Sequence, residues 1–313
     1  KDEAKKRMPT NVSCKTFHGL AWPTHGFKYK YRLKWRFQAK RYAEMFRVDP
    51  MIVHAARATI GRFNSSDDMI IDRWHVPKEM WSAKPRADQD GFRDEVVITA
   101  RKLWMMKRSL RDREMPVDFN DIRTMFRLDG CLGIGRYGKV VVDESQDITP
   151  CDAAMIARIG APVVYTGDDC QQLYSWLGSI QNLDEMASVH KYLTESWRFG
   201  PAVADAANKV LALLKLNAPP LVGLGGPSKL SLDPPSGKHT VLCRTNAGLM
   251  AEALDAVRKG RSIHVVGNLM ESVSLLESGY HLSIGDRDKV RHPSLLAIAD
   301  WNEVEQLKEH HPD

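Results

Sequence analysis

Two short apolar runs, each ending on a cluster of acids, constrain this chain more than any other feature. The first is KVVVDESQDITP, Lys139 to Pro150. Val140, Val141 and Val142 read as a fully buried strand, and Asp143, Glu144 and Asp147 follow directly. Thr149 suits an N-cap and Pro150 a first helical residue, so a helix is predicted from Pro150 to Ile159, ended by Gly160. Ala161 to Tyr165 reads as a second buried strand, and TGDDCQQLYSWLGS follows it. Strand, helix and strand make a βαβ unit with an expected right-handed crossover. Two parallel strands then end at one edge of a sheet, with the acids of DESQD and GDDCQQ side by side. In open α/β sheets that edge is where ligands bind.

A carboxylate pair at a parallel strand end suits nucleotide hydrolysis. One acid holds Mg²⁺, usually through water, and the next orients or deprotonates the attacking water. A single Asp-Glu pair could equally cap the loop that follows. Two adjacent strand ends carrying acids favour a site.

The rest of the chain divides by pattern. Phe27 to Phe37, FKYKYRLKWRF, alternates strictly, which predicts a strand with an aromatic face and a face of Lys28, Lys30, Arg32, Lys34 and Arg36. That second face is either solvated or turned towards phosphates. Residues 38–130 repeat apolar positions three and four apart and read as a helical subdomain. From Lys139 onward, short apolar runs alternate with helical patterns, as βαβ units on a parallel sheet do. A Pro/Gly-rich stretch, NAPPLVGLGGPSKLSLDPPSGK, precedes a last strand and helix set beginning TVLCRT.

Composition narrows the function classes. The chain has 313 residues, 43% of them hydrophobic and 27% charged, with a formal net charge of +6. A modest basic excess suits a polyanionic partner. No apolar run is long enough to cross a bilayer, and KDEAKKRMP carries no secretory signal. Cys14, Cys131, Cys151, Cys170 and Cys243 are scattered and never form C-x-x-C. That pattern disfavours a zinc site or a disulfide framework and predicts an intracellular protein, cytoplasmic in a prokaryote or virus and nuclear in a eukaryote.

Five segments in order resemble motifs of the UvrD/Rep-type superfamily 1 DNA helicases. TFHGLA, Thr16 to Ala21, resembles an early DNA-contacting motif, and DESQD resembles Walker B. GDDCQQLYSWLGS, LTESWRFG and VLCRTNA resemble three later family segments. The stretch ATIGRFNSSDDMIIDRWHVP is most similar to the F-box DNA helicase branch. The resemblance implies an α/β fold of RecA-like P-loop NTPase motor domains on parallel sheets. Residues 1–190 would form the first motor domain, with a helical insert at about 38–130, and residues 191–313 would begin the second. It implies ATP and Mg²⁺ as cofactors, single-stranded DNA or DNA junctions as partner, no membrane, and 3′ to 5′ movement. Asp143 would hold Mg²⁺, Glu144 would be the catalytic base, and Gln171 would sense the γ-phosphate. Arg198 would act as an arginine finger. Thr16 and His18 would touch the DNA backbone, Tyr174 and Trp176 would sit near single-stranded DNA, and Asn246 would also contact it. The aromatics could equally be core residues, and Arg198 a surface ion-pair partner.

Two departures from the family pattern bear on activity. Leu177 stands where the family carries Arg. A P-loop, G-x-x-x-x-G-K-[ST], has only one near match, GIGRYGKV at Gly133 to Val140. There Val140 replaces the Mg²⁺-binding hydroxyl, and a strand rather than a helix follows, so no helix N-terminus is available for phosphate. The expectation is therefore an internal piece of a longer helicase, inactive alone, with its P-loop upstream of Lys1. The alternative is a non-catalytic DNA-binding relic that has lost its P-loop.

Overall fold

The computed structural model describes residues 7–33, 37–82, 84–172, 188–214, 219–233, 236–267, 269–292, 295, 298 and 300–310. The chain divides into two compact units, Lys1–Lys191 and Tyr192–Asp313.

The first unit is built on helices. Helix α1, Phe17–Ala21, is followed by a π-helical turn, Trp22–Gly26, and two short helical turns, Phe27–Tyr29 and Lys30–Arg32. Helices α2, Ala39–Phe46, α3, Pro50–Ser65, α4, Arg86–Arg108, and α5, Phe119–Leu128, come next. Local chemistry sets their starts. Asp49 caps α3 by accepting from the Met51 N–H at 2.7 Å, with Pro50 in the first helical position. Asp118 and Asp121 cap α5 reciprocally, each side chain accepting from the other's backbone N–H at 2.9 Å.

The core runs through these helices. Val53, Ile60 and Phe63 of α3 pack on Val96, Leu103 and Trp104 of α4 and on Ile122, Met125 and Phe126 of α5. The Phe63 and Trp104 rings meet edge to face at 5.4 Å. The same core takes in Ala21 and Tyr29 before the predicted helical segment and Met155 after it. The helical segment is thus continuous in packing with its neighbours.

The predicted strand over Phe27 to Phe37 is corrected over residues 27–32, which are helical; residues 34–36 of that prediction lie outside the described residues. A strand needs a neighbouring strand to satisfy its backbone, whereas a helical turn satisfies its own. The same residues also carry a three-residue spacing, and Tyr29 and Arg32 use it to face the core together. Arg32, expected on a basic outer face, is wholly buried. Its guanidinium donates to the carbonyls of Met115 at 2.6 Å, Ser109 at 2.8 Å and Met106 at 3.1 Å. Tyr29 donates to Arg108 O at 2.8 Å. The Met106, Arg108 and Ser109 carbonyls lie where α4 ends, at the negative pole of the helix, and the Met115 carbonyl lies in the chain that follows.

After α5 a loop leads into β1, Val140–Val142, then α6, Pro150–Ile159, and β2, Val163–Tyr165. The strands are parallel, with Val140 opposite Val163, Val141 opposite Val164 and Val142 opposite Tyr165. The sequence places α6 and its Thr149 cap as observed. The fully buried β1 does not hold: Val142 is buried, but Val141 is 65% exposed and Val164 46%. These two lie opposite each other on one face of a sheet that has two strands among the described residues. Alternate residues of a strand point to opposite faces, so covering one face buries only every second valine.

Two buried ion pairs hold these elements together, one between helices α4 and α5 and one between α5 and α6. Lys107 of α4 meets Asp121 of α5, which also accepts from Asn64 Nδ2 at 2.9 Å. Burial pushes the Asp121 carboxyl up, against the pull of the Lys107 ammonium. Arg123 of α5 donates to both carboxylate oxygens of Asp152 in α6, at 2.9 and 3.1 Å, and to Asn64 O at 2.9 Å.

In the second unit β3, Glu195–Ser196, runs parallel to β4, Val222–Gly223, through the crossover helix α7, Pro201–Leu213. Asn208 locks β4 to that helix, donating to Leu221 O at 2.9 Å and accepting from the Leu221 N–H at 2.8 Å. Helices α8, Asn246–Arg258, α9, Leu269–Ser283, and α10, Trp301–His310, follow. Two expectations are corrected here. The Pro/Gly-rich stretch holds a strand, β4, and the run TVLCRT is not one. Leu242 and Val241 in that run are exposed. An isolated apolar run stays irregular when no strand lies beside it to share hydrogen bonds.

Replacing Arg32 by Met leaves three carbonyls without their donor. The urea-unfolding transition of the first unit should weaken by about 3 kcal/mol. Arg32→Lys should not restore it, because one ammonium cannot span three carbonyls.

Candidate functional site

The parallel register of β1 and β2 brings both acidic strand ends to one edge. The pairing continues past the strands. The Thr166 N–H donates to Val142 O at 2.8 Å and the Ser145 N–H to Thr166 O at 2.9 Å. The Thr166 hydroxyl donates to Asp143 Oδ1 at 3.0 Å, joining the first acid to the second strand. Asp143 and Glu144 are exposed on this rim.

Glu144 holds a left-handed backbone, φ 52° and ψ 47°. For a non-glycine residue that conformation costs about 1–2 kcal/mol. It turns the chain out of the strand into the short helical turn Ser145–Asp147 and sets Glu144 on the exposed rim. Strained residues of this kind cluster at functional sites.

Gln146 is the buried hub of the rim. Its Nε2 donates to Glu144 Oε2 at 2.7 Å, and its Oε1 accepts from the Asp168 N–H at 3.1 Å. Its carbonyl accepts from Gln172 Nε2 at 2.9 Å. Asp168 in turn accepts from Gln171 Nε2 at 2.6 Å and from the Cys170 N–H at 3.0 Å. A continuous hydrogen-bonded path therefore runs Glu144, Gln146, Asp168, Gln171. Two residues named from sequence, Glu144 and Gln171, share a rim through two that were not assigned roles. Gln146 lies inside the quoted DESQD, but its burial cannot be read from the string. Thr166 and Asp168 carried only the general signal of polar residues after a strand.

Thr16 and His18 lie elsewhere in the same unit. Thr16 is exposed and caps α1, accepting from the Gly19 N–H at 3.1 Å. His18 Nε2 donates to Asn120 Oδ1 at 3.0 Å. Phe17, between them, packs against the small core of Val142, Ile148 and Ile156 beneath the rim. Arg198 and Asn246 belong to the second unit, and both are exposed. Arg198 follows β3, its N–H donating to Ser196 Oγ at 3.3 Å. Asn246 is the first residue of α8, after the cap residue Thr245. Tyr174, Trp176 and Leu177 lie outside the described residues.

The loop Gly133–Val140 runs into β1, and Gly133 and Gly135 take positive φ, 80° and 99°. These glycines serve the turns of a connecting loop, and no helix N-terminus follows them. Among the described residues no group of three or more His, Cys, Asp or Glu could hold a metal ion by itself. Mg²⁺ does not need such a group, since one or two carboxylates, water and substrate phosphates complete its octahedron. The exposed Asp143 and Glu144 fit that mode. The loop does not fit the role of a phosphate cradle.

Over most of its length the chain is similar to DNA helicases. The particular relatives are F-box helicases. F-box DNA helicase 1 of Gallus gallus is 28% identical over 285 residues, 84% of this chain and 28% of the relative. F-box DNA helicase protein 1 of Schizosaccharomyces pombe is 25% identical over 346 aligned positions, 97% of this chain and 38% of the relative. The chain thus spans between about a quarter and two-fifths of the length of these proteins. No family model matches it. No helix among the described residues is long and apolar enough to cross a membrane.

Replacing Gln146 by Leu should unprotect the Asp168 amide, raising its hydrogen-exchange rate about tenfold, the value of one lost hydrogen bond.

Proposed function

We propose that this chain is part of an ATP-dependent DNA helicase that moves 3′ to 5′ on single-stranded DNA. In this reading residues 1–190 belong to a first RecA-like motor domain, with its helical insert at about 38–130, and residues 191–313 to a second. The observation that carries it is the bonded path from Glu144 to Gln171 along one strand-end rim. Similarity to two helicases over most of the chain supports it independently.

ATP bound with Mg²⁺ would supply the phosphoryl group whose transfer to water drives movement. Asp143 would hold the Mg²⁺ that accompanies the nucleotide. Glu144 orients the attacking water and takes its proton. Gln171 contacts the terminal phosphate and, through Asp168 and Gln146, stays in register with Glu144. Arg198 would be the arginine finger that the family resemblance implies. Thr16, His18 and Asn246, with Tyr174 and Trp176, contact the DNA strand.

The form of the loop Gly133–Val140 favours one other reading, a DNA-binding relative that does not hydrolyse ATP. One experiment separates them. In the full-length protein, Glu144→Gln should lower DNA-stimulated ATP hydrolysis by about 10²–10⁴-fold, the usual contribution of a positioned base, with single-strand affinity unchanged. Undiminished hydrolysis in the variant refutes the role of Glu144. A wild-type protein that binds DNA but shows no stimulated hydrolysis supports the non-catalytic reading.

A further inference from the structure

Between α3 and α4 runs a loop, residues 66–75, that takes no part in the bonded path of the acid rim. Arginines from two helices grip its backbone. Arg123 and Arg127 of α5 donate to the carbonyls of Asn64 at 2.9 Å, Asp67 at 2.8 Å and Asp68 at 2.5 Å. Arg101 of α4 donates to Ile71 O at 2.8 Å, and Arg93 to Arg73 O at 3.3 Å. Ile71 and Val76 belong to the core, and His75 is buried.

On this anchored loop three large apolar side chains face out. Met69 is 65% exposed, Ile70 61% and Trp74 60%. The Trp74 indole N–H donates to Asp68 Oδ2 at 3.0 Å, which brings the ring to the residue before Met69. Ile98 of α4, also exposed, lies on the helix face between Asp94, which pairs with Arg73, and Arg101, which bonds Ile71. Single exposed apolar residues are ordinary, but a cluster of them marks a surface that meets something else. A loop whose backbone is already fixed loses little freedom on binding.

Charge decides what the cluster meets. Its fringe is acidic, and the bonds place those acids beside it. Asp67 is exposed, Asp68 holds the Trp74 indole, and Asp72 caps the turn that carries Trp74, accepting from the Arg73 N–H at 2.6 Å. The hydrogen bond from Trp74 holds the Asp68 carboxyl below the usual carboxylate range, so it is negative at neutral pH. Arg73 is already answered by Asp90 and Asp94 of α4, and Arg101 and Arg127 are turned to the loop carbonyls. In a chain with a formal net charge of +6, this is an acidic island. It repels phosphates, and pairing with the same surface of a second copy would set acids against acids. A protein partner with a basic rim meets neither obstacle.

We propose that Met69, Ile70 and Trp74 form a docking surface for a protein partner that presents an apolar face rimmed by lysines or arginines, with Asp67, Asp68 and Asp72 answering that rim. Trp74 is the anchor, a large ring oriented in advance by its bond to Asp68. The surface goes beyond the helicase reading and does not depend on it.

The test uses the full-length protein and three synthetic peptides of one amphipathic helical pattern. One has a leucine face rimmed by lysines, one the same face rimmed by glutamates, and one the lysine rim with serines for leucines. The lysine-rimmed leucine peptide alone should bind, and it should protect Met69 and Trp74 from hydroxyl-radical oxidation. Trp74→Ala and Ile70→Ser should each weaken that binding about tenfold. Asp67→Lys should weaken it and flatten its salt dependence. Thermal melting identifies any variant that fails to fold; the footprint on the wild type then decides. Equal binding of the glutamate-rimmed peptide, protection confined to other residues, or protection of Met69 and Trp74 by oligothymidylate overturns the proposal. So does a full-length protein whose Met69 and Trp74 resist oxidation before any peptide is added, because the chain itself or a second copy then covers them.

Discussion

The first unit depends on one buried ion pair. Arg123 lies in α5, among the helices, and Asp152 lies in the first turn of α6, just after the acid-bearing loop. Asp152 accepts at both oxygens from one terminal nitrogen of the guanidinium, Arg123 Nη1, and also from the Thr149 N–H and hydroxyl, at 3.0 and 2.7 Å. The helix cap that closes the loop and the pair that anchors it therefore share one carboxylate. Breaking such a pair costs about 3–5 kcal/mol, because the charge left behind is buried without a partner. Its value here is geometric. It fixes where the helix starts, and so where the seven residues between β1 and that helix can go.

The rim inherits this rigidity. Glu144 sits in a left-handed conformation that a free loop would relax, and Gln146 is buried where it reaches Glu144 on one side and Asp168 on the other. A strained residue persists only where its surroundings over-determine it. Here the surroundings are a buried glutamine whose side-chain Nε2 and Oε1 and backbone carbonyl are all engaged, between two strand ends held by parallel pairing. Phe17 extends the connection to α1, packing beneath β1 while its neighbours Thr16 and His18 face other partners.

Much of this was legible in the string. Thr149-Pro150 and Gly160 marked both ends of α6, since capping is decided by residues within one turn of each other. The acids after two short apolar runs indicated a common edge, because parallel pairing follows from a helical crossover of that length. What was misread lay where one pattern admits two structures. FKYKYRLKWRF alternates as a strand does, yet it also offers the three-residue step by which Tyr29 and Arg32 reach the end of α4. TVLCRT has strand composition, and composition says nothing about whether a neighbour is there to pair with.

The sequence by itself determined the local elements and the identity of the chemistry: which carboxylates follow which strand, where helices are capped, and the resemblance to helicases. Those depend on residues near each other in the chain. The tertiary structure alone decided that Gln146 joins Glu144 to the Asp168–Gln171 turn, that Arg32 is a buried cap rather than part of a basic face, and that Trp22 meets Phe119. Each of these is a contact between distant segments or a matter of burial. Only the packing of the helices brings such groups within hydrogen-bonding or ring-contact distance.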